Sequence, residues 1–319
     1  MSATIDKHRN RAKKMKWVKK GLIFELQSKL PWMTTHAAIP FADQDGDHCR
    51  VYFSARDKDG RAQIGFFGID FRNPEKLIGV SEKPVLSLGS LGTFDDRGLT
   101  TSWIVNHGGR KYQYYSGWSL GVTVPFYLAI GLAVSDDRGK TFQKVSEGPI
   151  LARSEKDPYL TASPCVLIEN GIWRMWYVSG MKWELGSGKP KHYYHIRYAE
   201  SRDGVHWDRR GVVCIDFKSP DEYAIARPCV LKDEDGYKMW YSYRGESYRI
   251  GYAESEDGIK WTRKDDEAGI DVSTAGWDSE MIEYPFVFDH GSKRYMLYNG
   301  NGYGKTGIGL AELAPPAPC

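Results

Sequence analysis

Apolar and polar residues alternate along this chain in short runs, and the runs return at nearly even spacing. The stretches THAAIPFA, LTTSWIVN, TASPCVLI, AIARPCVL and MIEYPFVF surround Pro40, Trp103, Pro164, Pro228 and Pro285, which stand 63, 61, 64 and 57 residues apart. A polar turn follows each stretch. Next comes an aromatic run such as CRVYFSARD, YQYYSGW or WRMWYVSG, and then a third run such as AIGLAVS, HIRYAES or RIGYAES. Period-two alternation, aromatic enrichment and Gly or Asx turns predict strands throughout. No segment sustains the 3.6-residue period of a long helix.

Five copies of one strand unit predict an all-β fold: a five-bladed β-propeller with four-stranded blades, which closes radially and leaves few open edges. The fifth copy stops after its third strand, GIGLAEL. Near the N-terminus, KWVKKGLIF matches HWDRRGVVC, pairing Trp17 with Trp207 and Gly21 with Gly211. The N-terminal strand is therefore expected to complete blade five. Residues 16–319 then make one propeller domain, preceded by a basic arm over residues 1–15. The hairpins SDDRGKTF, SRDGVHW and SEDGIKW assign Asp137, Asp203 and Asp257 as caps on backbone amides, with glycine in the positive-φ position.

Composition narrows the function. Net charge is only +3 over 319 residues, and the basic excess lies in the N-terminal arm, so the body is not built to bind nucleic acid. The five cysteines have no close spacing, and Cys165 and Cys229 occupy matching strand positions, so they read as core residues of a reduced, cytoplasmic protein. No run has the length of a membrane span. Neither a metal-ligand spacing nor a Gly-rich phosphate loop is present, so no metal or cofactor is expected. The 11 Trp and 20 Tyr suit a strand core and also a sugar site, where rings stack on C–H faces.

Function on such a scaffold gathers on the loops leading into the innermost strands and on those joining second to third strands. Asp96, Asp157, Asp221 and Asp278 each stand seven residues before the aligned Trp or Pro. Repetition favours a turn-capping role for most of them, although paired carboxylates are what glycosyl transfer requires. Departures from the repeat are His36 in blade one, the doubled Asp95 and Asp96, Glu222 and Arg227 in blade four, and Glu280 and Glu283 in blade five. Arg227 replaces Ser163 of the preceding copy, and an arginine there calls for an anion, from Glu283 or from a ligand. The second-to-third-strand loops add Arg56, Trp118, Trp183, Arg244 and Asn299, with His192 in the longest insertion.

These motifs together resemble the five-bladed propeller superfamily of arabinanases, β-fructosidases and β-mannoside phosphorylases. Within it the chain is most similar to uncharacterised members encoded among bacterial polysaccharide genes. The resemblance spans the chain and rests on the five inner-strand motifs and on repeats such as IRYAESRDGVHW and IGYAESEDGIKW. It implies an enzyme that cleaves or transfers a glycosidic bond in a central funnel. The hydrolases use Asp, Asp and Glu on blades one to three. Only the second has a counterpart here, Asp96, because blade one offers His36 and blade three offers Asp157 without Glu. The phosphorylases need a single acid and a basic phosphate site, for which Arg227, Arg244, His36 and His192 are available.

The expected catalytic groups are thus Asp96, with Asp157 or Glu283 as second carboxylate. His36, Arg56, Asp95, Trp118, Trp183, His192, Glu222, Arg227, Arg244, Glu280 and Asn299 are expected to bind substrate. That substrate is an oligosaccharide or phosphosugar, with inorganic phosphate as a further ligand. The alternatives are a glycosyltransferase using an activated phosphosugar and a non-catalytic glycan-binding or scaffolding propeller.

Overall fold

In the computed structural model the described residues are 15–27, 30–185, 188 and 190–315; the basic arm lies outside them except for Met15. The chain is all-β, folded as consecutive antiparallel meanders. The first contains β2 (Thr35–Asp45), β3 (His48–Arg56), β4 (Ala62–Asp70) and β5 (Asn73–Val80). The second has β6 (Gly98–His107), β7 (Arg110–Leu120), β8 (Phe126–Ser135) and β9 (Gln143–Lys144). The third has β10 (Thr161–Glu169), β11 (Ile172–Glu184), β12 (Lys191–Ser201) and β13 (Val213–Ile215). The fourth has β14 (Ala224–Asp233), β15 (Gly236–Arg244), β16 (Tyr248–Ser255) and β17 (Thr262–Arg263). The last has β18 (Glu283–His290), β19 (Lys293–Asn299) and β20 (Ile308–Leu313), and its fourth strand is β1 (Trp17–Phe24), antiparallel to β20. Single parallel bridges, Ala62 to Gly98 and Tyr194 to Ala224, link the first meander to the second and the third to the fourth.

The first strands of successive meanders adjoin one another: β2 meets β6, β6 meets β10, β10 meets β14, β14 meets β18, and β18 meets β2. A repeated side-chain clamp fixes this ring. Ser54 Oγ accepts the Thr101 N–H at 3.0 Å, Ser116 Oγ that of Ser163 at 2.8 Å, Ser242 Oγ that of Tyr284 at 2.7 Å, and Asn299 Oδ1 that of Ile39 at 2.8 Å. The matching residue of β11 is Val178, which pairs with Ala162 as Ser116 pairs with Thr100, so this clamp is missing there.

Each inner strand carries a bulge, and in four of them the residue before proline takes a left-handed conformation: Ile39 (φ 57°), Ser163 (φ 46°), Arg227 (φ 54°) and Tyr284 (φ 55°). Non-glycine residues avoid this region, and such strain concentrates at ligand-binding positions. In β6 the bulge is shorter. Trp103 pairs with Tyr114 as Cys165 pairs with Trp176, so Trp103 matches the residue after proline in the other copies. The sequence alignment is thereby corrected by one residue, and Asp95, not Asp96, stands in the place of Asp157 and Asp278.

The core and hairpin expectations hold. Cys165 and Cys229 are fully buried in strands. Asp137, Asp203 and Asp257 accept pairs of backbone N–H groups at 2.8–3.0 Å, beside Gly139, Gly204 and Gly258 at positive φ.

Candidate active site

A funnel of about 620 Å³ opens where the inner strands begin. Its floor is the strained ring itself, with Ile39, Thr100, Ser163, Ala226 and Tyr284 contributed by the five meanders. One wall is aromatic: Trp118, Phe126, His192 and Tyr194. Trp118 lies flat on the backbone at Gly98, where a Cβ would sit 2.0 Å from its indole nitrogen, so only glycine fits there. His192 stacks on Tyr194 with centroids 5.1 Å apart, and Trp183 backs His192 at 4.9 Å and Phe126 at 5.3 Å. Trp183 is thus a buttress of the wall and not part of its lining.

Arg56, at the end of β3, supplies positive charge to the funnel. His36 lies behind it. Burial, aided by the charges of Arg56 and Lys305, lowers its pKa to about 4, so its imidazole is neutral at ordinary pH. His192 is lowered to about 4 by burial and by Arg244. No carboxylate lines the funnel among the described residues.

Behind the lining, next to Tyr284 and Tyr194, lies Glu283. It is fully buried, and neither oxygen has a hydrogen-bond partner. Burial pushes its pKa well above the usual carboxylate range, with Arg244, the Tyr284 side chain and the Tyr303 amide opposing the shift from nearby. Burial therefore favours the protonated form of this carboxyl. Tyr284 and Tyr194, both in the funnel lining, are among its neighbours, and the Tyr194 hydroxyl bonds that of Tyr248.

Several expected site residues are committed elsewhere. Asp157 is fully buried; the Tyr177 hydroxyl donates to it at 3.1 Å, and Arg209 and Arg197 lie 3.0 and 3.5 Å away. It is a structural anchor, not a catalytic carboxylate. Asp95 repeats the arrangement with Tyr115 at 3.0 Å and Lys144 at 2.6 Å, and Asp278 repeats it with Tyr298 at 3.0 Å and Lys19 of β1 at 2.7 Å. In the fourth meander Asp265 takes this position, bonded to Tyr241 at 2.5 Å and Arg263 at 2.7 Å, while Asp221 is exposed. Glu222 is consumed by Arg263 at 2.7 Å. The motif is tyrosine of the second strand, aspartate, and a cation of or near the outer strand. The first meander has Phe53 where the others have tyrosine, and so needs no such aspartate.

Asn299 closes the clamp ring and also donates to the carbonyls of Ala37 and Gly307, so it does not face substrate. Arg227 is fully buried without the expected anion. It donates to the carbonyls of Ser102 at 2.5 Å and Pro40 at 3.0 Å, and packs against Trp103 and Phe286. Desolvation lowers its pKa to about 10, which leaves it charged. It staples three inner strands together below the funnel. Glu280 is exposed and outside the lining. Asp96 also lies outside the lining; its Oδ2 accepts the Gly92 N–H at 3.0 Å and its buried Oδ1 has no partner.

The structure thus brings together Arg56, His36, Trp118, His192, Arg244 and Glu283 of the expected set. Sequence reading passed over Tyr284, Tyr248, Phe126 and Tyr303. Tyr284 carried a usable signal, since it occupies the same variable pre-proline position that drew attention to Arg227.

No known family profile matches the chain. Similar solved structures include a glycoside hydrolase (19% identity, TM-score 0.72, 95% of this chain and 92% of that one). They also include a thermostable family-43 glycoside hydrolase (18% identity, TM-score 0.63, 89% and 90%). A third is from the GH130 family of mannoside phosphorylases, which contains glycoside hydrolases that target β-1,2 mannosidic linkages in Candida mannan (15% identity, TM-score 0.69, 97% and 96%). At these identities the shared property is the fold. Over 300 residues the chain is 45% identical to the uncharacterized protein MT1551 and 44% identical to the uncharacterized protein Rv1502, both of Mycobacterium tuberculosis, covering 94% of this chain and 99% of each relative. The chain therefore belongs to the family of these two mycobacterial proteins, and its fold is similar to that of the glycoside hydrolase structures named above.

Proposed function

We propose that the five meanders are the blades of a five-bladed propeller and that its funnel is the active site of a carbohydrate-active enzyme that breaks or transfers a glycosidic bond. The observation that carries this reading is the buried, unpaired carboxyl of Glu283 beside a funnel lined by aromatic rings and by Arg56. A sugar ring stacks on Trp118 and the neighbouring aromatics. Glu283 acts as general acid and protonates the departing glycosidic oxygen, the role for which a raised carboxyl pKa is suited. Tyr284 and Tyr194 lie between it and the funnel and can pass the proton.

Protein-only hydrolysis uses two carboxylates facing across the scissile bond, about 5–5.5 Å apart for retention and 6.5–9.5 Å for inversion. A lining without carboxylates does not supply that pair. The nucleophile is then inorganic phosphate or an acceptor hydroxyl, and Arg56 supports the phosphate of the donor or product. This favours phosphorolysis or phosphosugar transfer over simple hydrolysis.

The test is a screen of wild type and Glu283→Gln against oligosaccharides with and without phosphate, and against nucleotide sugars. Phosphate-dependent or nucleotide-sugar-dependent turnover, lost at least about 100-fold in Glu283→Gln, is expected. Equal turnover by the two proteins would remove Glu283 from the mechanism. Binding of glycans with no turnover in any arm would favour the scaffolding alternative.

A further inference from the structure

Arg244 is the clearest unexplained group beside the funnel. It ends β15, close to His192 and Glu283. Its guanidinium packs against the rings of Tyr223, Tyr248 and Tyr303 at 5.1, 5.4 and 5.5 Å. Among the described residues its side chain forms no ion pair, and its buried Nε has no partner. Packing on aromatic rings holds the guanidinium while leaving its N–H edge able to grip an oxyanion in a bidentate fork. Buried donors without partners are rare in proteins and call for a ligand.

A second cation extends the feature outward. Lys191 Nζ sits 3.8 Å from the centre of the same Tyr223 ring and 5.1 Å from that of Tyr193. The two positive charges are therefore at most about 9 Å apart, and no carboxylate pairs with either among the described residues. Nearby Glu184 is taken by Lys182 and by the Tyr193 hydroxyl. Glu283 lies near Arg244 but forms no ion pair with it among the described residues, and both of its oxygens are without a hydrogen-bond partner. Two cations held near one ring without a paired carboxylate favour an anion beside them.

We infer that Arg244 and Lys191, on the Tyr223 face, form a subsite at the funnel mouth for the anionic substituent, carboxylate or phosphate, of the glycan whose sugar ring enters the funnel. This rests on the funnel being a sugar site. It makes the substrate an acidic glycan, with its charge on the meander-three and meander-four side, opposite Arg56. A uronate and a phosphorylated sugar share the required oxyanion and differ in charge and reach.

Calorimetric titration tests it directly, without turnover. The probes are trigalacturonate and 6-phosphomannobiose against their neutral counterparts galactotriose and mannobiose. Wild type is expected to bind at least one acidic probe about tenfold more tightly than its counterpart, since a charge-assisted fork adds roughly that much. Which acidic probe wins identifies the anion. Arg244→Met should erase the preference and Arg244→Lys should retain part of it. Lys191→Met, on the exposed rim, should weaken the acidic probe about threefold and flatten its salt dependence. It also serves as the readout if Arg244→Met does not fold. Equal affinity for acidic and neutral probes, or a preference that survives both methionine variants, overturns the inference. A preserved preference without any glycosyl transfer would instead count against the catalytic reading alone.

Discussion

Asp157 and Glu283 are both fully buried carboxyl groups at the head of an inner strand, and their surroundings are opposite. Asp157 has a tyrosine hydroxyl and two guanidinium groups. Glu283 has no partner for either oxygen. The first pattern recurs around Asp95, Asp265 and Asp278, always with a tyrosine and a lysine or arginine. The second occurs once among these groups and adjoins the funnel. A carboxylate repeated in successive meanders with its own cation holds the meander together; one left buried and unpaired is the candidate for chemistry under the proposed function.

The largest effect should come from breaking the repeated anchor. Asp157→Ala leaves Arg197 and Arg209 without their buried partner and is expected to lower stability by roughly 3–5 kcal/mol in urea unfolding. Asp278→Ala should match it and also loosen β1, since Lys19 loses its carboxylate. A cost under about 1 kcal/mol would show that these aspartates are not anchors.

Glu283→Gln should do the reverse. The folded pKa of Glu283 lies well above its unfolded value, so the unfolded chain ionises there more readily than the folded chain. That difference opposes folding above about pH 4.3 and vanishes below it. Glutamine has no charge to release, so the variant should be more stable than wild type by about 1 kcal/mol or more at pH 7 and equal to it near pH 4. Stabilisation combined with lost turnover separates this carboxyl from the anchors; destabilisation comparable to that of Asp157→Ala would merge the two classes.

Much of the architecture could be read from sequence because the same strand unit returns and its turns obey local rules. The Asp-capped hairpins, the core cysteines and the strand order follow from spacing and alternation. The identity of the anchors did not follow, because one residue in β6 shifts the frame. A proline and a tryptophan align in sequence although Trp103 pairs as the residue after proline does. That slip put Asp96 in the place of Asp95. The fate of Arg227 was also hidden, since carbonyls of two distant strands, Ser102 and Pro40, satisfy it where an anion was expected. Main-chain partners leave no trace in side-chain patterns. Glu283 was visible only as a departure from the repeat, and its isolation required the packing of tyrosines from three strands.

Acid should expose the same contrast through the histidines. His36 and His192 titrate near pH 4 in the folded chain and about pH 6.5 when unfolded. The unfolded state thus binds more protons between those values. Stability contributed by the neutral imidazoles is complete above about pH 6.5 and falls toward pH 4, by up to about 1.4 kcal/mol per pH unit for each group. His36→Asn should flatten that slope in urea unfolding at pH 7, 6 and 5. An unchanged slope would mean that His36 is hydrated.

The smallest effect sharpens the comparison within the clamp ring. Ser116 Oγ receives the Ser163 N–H at a strained, left-handed residue, so Ser116→Ala leaves that amide unpaired and should cost about 1 kcal/mol. Val178 occupies the same position one meander later and has no hydroxyl to offer the next inner strand. The next inner strand is the one that carries Arg227, whose guanidinium already ties it to β2 and β6. If the arginine staple stands in for the missing hydroxyl clamp, Val178→Ser should cost less in an Arg227→Met background than in the wild type, so the double variant should lie above the sum of the two single changes. Strict additivity would show that clamp and staple hold different parts of the ring.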